Sequence, residues 1–520
     1  MGQVRGIDGL GPAGATDEDS VVDGGDSSGG TGGADDGDGA GDAAGGDATS
    51  GDGDEETVDW PDGNPGCGLS AAAFCDTFDA PAVSTSGRSF ELDARRWSLA
   101  RNEPTLGKPN EIGPGSVSQC RADVPAEVSP PGDTRICDGN SAIQSNHLLT
   151  VTAAQNYGSN AYRIRQPFDF ADRTGTIVFD ADATTIGLLG WIAIAVTEDP
   201  IPSPGFSLIP GAGNFEGGVI PRNGITVELN GSCGGPAETK VTVVNEYSNY
   251  VDYVHEEDAL AAECISVLHH SLNHFELRLS RTHLELWATP YSNDGVDFGP
   301  ASLVASTDLD LSFTRGYVQL IARNHATDKY WTAAHPADAR QAWVVRWDNV
   351  GFDGPVIDNT REFEVRDALV AAPDNSVAVG YMLGDASAAT KTTVTIRGVE
   401  GSAQAVRARL AMNVQYFGNF TNVGLSTWGI TYRLNGNTWR TYDLTPAEET
   451  LFVSGVALAG DMAGSQNALI IGVLGHVFDI EEGDLVDGDN VLEIATANVP
   501  FGGYAPTLGN VDLVLTVDPP

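Results

Sequence analysis

Basic charge is scarce in this chain. Only 28 Lys and Arg stand against 72 Asp and Glu, a net charge of −44, and lysine occurs only at Lys108, Lys240, Lys329 and Lys391. Such a surface repels nucleic acid and anionic lipid beyond the reach of local contacts, and no compensating basic patch is present. No run is long and apolar enough to cross a bilayer as a helix. The opening residues MGQVRGIDGLGPAG lack the apolar segment of a signal peptide. No C-x-x-C occurs, and zinc wants thiolates at short spacing together with His. Nor is there a G-x-S-x-G, H-E-x-x-H, phosphate-binding loop or dinucleotide fingerprint. These absences remove nucleic-acid binding, membrane spanning and the commonest catalytic scaffolds from consideration.

What is present starts with a tail. Residues 1–65 are almost entirely Gly, Asp, Ala, Ser and Thr. So few apolar groups cannot offset ordering entropy, so a disordered, self-repelling tether is expected. Its DGDG runs hold no calcium loop, because no bidentate Glu lies in register. The composition resembles the spacers that follow the lipidated cysteine of bacterial, especially myxobacterial, surface lipoproteins. That resemblance implies export and a lipid anchor, with the signal or lipobox upstream of residue 1. Abundant Asp with little Lys also suits a salty environment.

Six cysteines follow, as three sequence-local pairs: Cys67 and Cys75, Cys120 and Cys137, Cys233 and Cys264. Three local disulfides in an oxidising, extracellular or cell-surface compartment are expected. Other connectivities, and buried free thiols in a cytosolic protein, are the alternatives.

From residue 66 the texture changes to short alternating runs. Examples are LLTVTAA at 148–154, TGTIVFDA at 174–181, ITVELNG at 225–231 and TKVTVVNE at 239–246. In FELRLSRTHLELW at 275–287, Phe275, Leu277 and Leu279 share a face that Leu284 and Leu286 resume after a turn near Ser280–Thr282, a hairpin. Many short strands separated by Gly, Pro and Asn predict an all-β chain of two sandwiches. The boundaries expected are 66–356, a linker at 357–372, and a second sandwich at 373–520. One short helix is expected at 258–270, DALAAECISVLHH.

Three strings carry a further resemblance: FCDTFDAP at 74–81, RRWSLAR at 95–101 and RWDNVGFDGP at 346–355. An early F-x-D-x-F and a late W-D-N-V strand resemble the concanavalin A-like jelly roll of lectins, laminin-G-like modules and laminarinase-type glycoside hydrolases. The hydrolases of that superfamily would need a Glu-x-Asp-x-Glu strand, whose alternation sets the carboxylates on one face. The nearest string, HEEDALAAE at 255–263, offers Glu256 and Asp258 but Leu260 and Ala261 where the last Glu belongs. The string HVFDIEEGDLVDGDNVLEIATA at 476–497 resembles galactose-binding-like jelly rolls found beside glycosidases. Its Asp479, Ile480, Leu485, Gly488, Asn490 and Leu492 specify a turn in which Gly488 takes positive φ.

Candidate ligand residues concentrate in RNHATDKYWTAAHPADARQ at 323–341. Asn324, His325, Asp328, Tyr330, Trp331 and His335 combine an aromatic platform with amide, carboxylate and imidazole groups, the make-up of a sugar site. A loop whose Trp331 packs on its own sheet is the competing reading. Tyr247, Tyr250 and Tyr253 could line a groove or cover a core edge. Asp348 and Asn349 match calcium ligands of related sandwiches, or else close a strand end. His270 and His274 have a helical metal-binding spacing with Glu263 nearby, but the helix is expected to end there.

The expectation is therefore an exported, non-catalytic protein that binds polysaccharide or another glycan. A glycoside hydrolase or lyase with a non-standard site, and a structural adhesion module, are the alternatives.

Overall fold

The computed structural model describes residues 66–78, 95–102, 116–118, 127–129, 134–137, 147–152, 159–181, 190–201, 205–207, 219–220, 224–230, 238–245, 261–266, 273–290, 300–324, 343–366, 377–378, 380–381, 391–418, 430–442, 469–481, 483–496 and 507–517. The tether at 1–65 lies outside them. The described residues are β-strands joined by turns, with two single-turn 3₁₀ segments and no α-helix.

Sheet one orders the strands Ser302–Asp308, His283–Pro290, Asn273–Leu279, Gly175–Ala181, Trp343–Asp353, His147–Thr152 and Thr134–Cys137, with Ala72–Asp76 also on Trp343–Asp353. Sheet two orders Ala261–Ser266, Glu238–Asn245, Gly224–Asn230, Gly190–Thr197, Arg315–Asn324, Ser159–Ile164 and Trp97–Asn102, with Phe168–Asp169 also on Arg315–Asn324. Alternation explains why they pack. Phe275, Leu277, Leu279, Leu284 and Leu286 are fully buried, while Glu276, Arg278 and Glu285 between them stay partly exposed. The expected hairpin closes through the Ser280 N–H, which donates to the His283 carbonyl at 2.9 Å. Ile192, Ile194, Val196, Val318 and Leu320 of sheet two meet that apolar face in one core. Within it Phe179 stacks on Phe275 with centroids 5.1 Å apart.

The strings 74–81, 95–101 and 346–355 converge at one corner of this sandwich. The Phe74 ring meets Trp97 edge-on at 5.4 Å and stacks on Phe352 at 5.5 Å. The indole N–H of Trp97 donates to Asp76 Oδ2 at 2.8 Å, and Arg96 pairs with the same carboxylate at 3.2 Å. An F-x-D-x-F entry is thus a wedge of two rings around an indole-binding carboxylate. Gly351 is needed there, since a Cβ would fall 2.7 Å from the Phe74 carbonyl. A disulfide between Cys67 and Cys75, 2.07 Å S–S, staples the entry strand. The side chains of Cys120, Cys137, Cys233 and Cys264 lie outside the described residues.

Two expectations need correction. Ala261–Ser266, read as part of a helix, is the edge strand of sheet two, antiparallel to Glu238–Asn245. The helical preference of an Ala-rich run is weak, and an open sheet edge overrides it. Thr360–Arg366, read as linker, is a strand antiparallel to Thr507–Val517. Its charges hid an ordinary alternating strand.

Sheet three orders Val219–Ile220, Gly205–Ser207, Leu469–Asp479, Ala405–Gly418, Thr507–Val517 and Thr360–Arg366, with Val377–Ala378 also on Thr507–Val517. Sheet four orders Gly380–Tyr381, Gly488–Thr496, Ile430–Leu434 and Arg440–Tyr442, with Thr392–Val399 also on Gly488–Thr496. They meet where Tyr432 of sheet four contacts Phe478 of sheet three, with centroids 5.1 Å apart. Two strands of sheet three, Gly205–Ser207 and Val219–Ile220, come from the stretch between two strands of sheet two.

The 476–497 string folds as its turn chemistry requires. Gly488 has φ +98°. Asn490 is fully buried; its amide donates to the Val486 and Gly488 carbonyls at 2.8 and 3.2 Å. Its Oδ1 accepts from the Val486 N–H at 3.0 Å and from Asn435 at 2.8 Å. Asn490 is therefore spent on the turn. Asn490→Ala is expected to cost about 1–2 kcal/mol in denaturant unfolding, because it removes the hydrogen bonds that hold the turn. A change within experimental error would show that this network does not hold the turn.

Candidate functional site

Strand register fixes where the candidate loop leaves the fold. Arg315–Asn324 lies inside sheet two, with Asn324 paired to Gly190; Trp343–Asp353 lies inside sheet one, with Trp343 paired to Thr152. The strand ends from which the connections 153–158, 182–189, 231–237, 267–272, 291–301 and 325–342 leave accordingly lie at one end of the first sandwich. His325, Asp328, Tyr330, Trp331 and His335, the side chain of Asn324, and Tyr247, Tyr250 and Tyr253 lie outside the described residues.

At that end, on the outer face of sheet one, three strands bring Asp348, Asp180 and His274 into one cross-strand row. His274 Nδ1 lies 2.6 Å from Asp180 Oδ1, and Asn349 Nδ2 donates to Asp180 Oδ2 at 2.7 Å. Asp180 and Asp348 are buried, while the His274 side chain keeps part of its surface open. Asn349 sits at φ +47°, where the pairing slips between Asp348 and Gly351, and its N–H donates to Asp348 Oδ1 at 2.8 Å. Here the Asn349 amide donates to Asp180, whose other oxygen lies against His274. Among the described residues no group of three or more His, Cys, Asp or Glu could hold a metal. Asn349 closes a strand bulge.

Farther along the same face the charged groups satisfy one another. Arg278 binds Glu276 at 2.6 Å and lies 5.0 Å over the Trp287 ring, whose N–H donates to Glu285 at 2.9 Å. His283 binds Asp308 at 3.0 Å.

The outer face of sheet two is buried as well. Thr226, Ala195, Gln319, Arg163 and Ser98 form one row across five strands, every one fully buried. The adjacent row carries Glu228, Ala193, Ile321 and Ala161, also buried. Glu228 has Thr226 and Asn230 two residues away on its strand, so no second carboxylate joins it there.

The second sandwich seats against one end of this face through reciprocal ion pairs. Arg163 binds Glu362 at 2.7 Å with both side chains almost fully buried, and Arg409 binds Asp199 at 3.1 Å. Tyr317 lies between them, 5.4 Å beneath Arg163 and with its hydroxyl 3.5 Å from Arg409 Nη2. Burial alone would push the Arg163 guanidinium down, but Glu362 and Asp512 outweigh it and hold it above its ordinary value. Sequence reading missed this cluster because Arg163 and Glu362 stand 199 residues apart, with no local pattern linking them.

No protein-family model matches the sequence, and a search of curated proteins found no match. Solved structures do match. The laminarinase from Rhodothermus marinus is 12% identical, with 54% of this chain and 96% of that one covered and a TM-score of 0.30. The VIP36 exoplasmic/lumenal domain in its calcium- and mannose-bound form is 13% identical, covering 42% and 81%, with a TM-score of 0.26. The lectin UEA-II complexed with galactose is 7% identical, covering 42% and 89%, with a TM-score of 0.25. At these scores the likenesses carry no argument, and the fold rests on the register described above.

Proposed function

We propose that the protein is an exported, non-catalytic carbohydrate-binding protein of the cell surface or extracellular space. Its glycan contacts come from Asn324, His325, Asp328, Tyr330, Trp331 and His335, and residues 1–65 tether it, with a lipid anchor where a lipobox precedes them. The observation that carries the reading is that the strand ends from which 325–342 and the neighbouring connections leave lie at the same sandwich end as the Asp180–His274–Asn349 cluster. Loops on a rigid sandwich are where aromatic and polar side chains can converge on a ligand. The Cys67–Cys75 disulfide supports an oxidising compartment.

A glycan array tests it. Replacing both Tyr330 and Trp331 by Ala is expected to weaken binding at least about tenfold, the scale of losing a stacking platform. Unchanged affinity would remove the loop from the site. Release of reducing sugar, or of unsaturated products absorbing in the ultraviolet, would replace this reading with that of a hydrolase or lyase.

A further inference from the structure

We infer that Ser306, His283 and Asp308 form a second site, one that cleaves carboxylic esters by acyl transfer to Ser306. The site goes beyond the glycan reading above. It lies at the end of the first sandwich opposite the strand ends that lead into 291–301 and 325–342, and it breaks no glycosidic bond.

Strand register builds it. His283–Pro290 and Ser302–Asp308 pair antiparallel, with His283 opposite Asp308 and Glu285 opposite Ser306. Leu284 between them points into the core, so these four side chains share the outer face of sheet one. His283 Nδ1 lies 3.0 Å from Asp308 Oδ1, and its Nε2 lies 3.2 Å from Ser306 Oγ. An ionised carboxylate only accepts, so in neutral His283 the proton sits on Nδ1 and Nε2 accepts from the Ser306 hydroxyl. A hydroxyl nucleophile, its base and the group that orients the base need contacts in that order. Glu285, 3.8 Å from the same Nε2, is itself engaged by the Trp287 N–H at 2.9 Å and by Arg278 at 3.7 Å.

Two further features favour an ester. The Leu309 N–H donates to the Thr282 carbonyl at 2.9 Å, which makes His283–Asp308 and Glu285–Ser306 the non-hydrogen-bonded pairs of the ladder. The Ser306 N–H therefore points away from its partner strand, toward an edge on which no described strand pairs. There it can donate to the oxyanion that forms when Ser306 attacks a carbonyl. Next along the face, Leu303 stands opposite Trp287 and is 48% exposed, an apolar ledge for an acyl or aryl group.

In the first step Ser306 Oγ bonds to the ester carbonyl carbon while its proton passes to His283 Nε2. The carbon–oxygen bond to the alcohol then breaks, and the alcohol leaves with that proton. Water, giving a proton to His283, attacks the acyl-serine, which releases the carboxylic acid and restores Ser306. Asp308 is a positioning residue; it is 98% exposed, so water weakens its hold and the turnover expected is slow.

The test uses the whole protein with p-nitrophenyl acetate and, separately, a fluorophosphonate probe. Peptide mapping is expected to find the phosphonyl group on Ser306. Ser306→Ala and His283→Gln are each expected to lower p-nitrophenol release at least about tenfold. Asp308→Asn is expected to lower kcat about threefold with KM unchanged, a split that a merely structural contact would not produce. All three positions face solvent, so thermal unfolding should not move. Release unchanged in Ser306→Ala, or a probe that labels the protein elsewhere and not at Ser306, would overturn the inference. Neither result bears on glycan binding, which the array reads independently.

Discussion

Glu362→Ala is expected to remove about 3–5 kcal/mol of stability, the cost of leaving a buried charge without its partner. Arg163 and Glu362 are 0% and 1% exposed, so water cannot solvate the stranded guanidinium. Deprotonation offers no escape, since arginine does not titrate in the range where a fold survives. Arg165, 4.0 Å from Glu362, loses a weaker contact in the same variant. Two further Arg163 nitrogens, Nε and Nη1, have no hydrogen-bond partner, so little surplus bonding exists to absorb the loss. Glu362→Gln keeps the volume and one acceptor and should fall between the variant and the parent. Equilibrium unfolding in denaturant reads all three proteins. A loss below about 1 kcal/mol would mean that the pair is solvated and adds no more than a surface contact.

The second large effect concerns separability. Residues 66–356 expressed alone are expected to lose cooperative unfolding and to aggregate. Such a fragment keeps Gly205–Ser207 and Val219–Ile220 but lacks Leu469–Asp479, the strand that Gly205–Ser207 pairs with. It also uncovers Arg163 and Asp199, which lose Glu362 and Arg409, and unpaired edges and uncovered charges promote association. Co-expression with residues 357–520 should restore a soluble complex. Native-like melting of the isolated fragment, at the temperature of the whole chain, would show two independent domains joined by a passive contact.

Local periodicity made most of the first sandwich legible. The 275–287 hairpin announced itself because Phe275, Leu277 and Leu279 alternate with polar residues and a turn follows. Gly488 and Asn490 were readable because turn chemistry is local. Two elements were misread for opposite reasons. Ala261–Ser266 carries residues that favour helices, yet an unfilled edge beside Glu238–Asn245 decided its state. Thr360–Arg366 opens a run that interrupts the alternating pattern, and its Glu362 answers Arg163 across the junction. The Asp180–His274–Asn349 cluster joins positions 94 and 169 residues apart, and no spacing rule connects residues that only cross-strand register brings together.

The place of Thr507–Val517 has a consequence for biosynthesis. This last described strand lies between Ala405–Gly418 and Thr360–Arg366 in the interior of sheet three. While the ribosome is still adding it, those two strands have an empty slot between them, and Arg163 waits for a Glu362 that has no settled position. Sheet three, and with it the Arg163–Glu362 pair, therefore cannot close before that strand has been made. Until then the edges of Ala405–Gly418 and Thr360–Arg366 that face it are unpaired, the exposed state that slow non-local pairing leaves open to association.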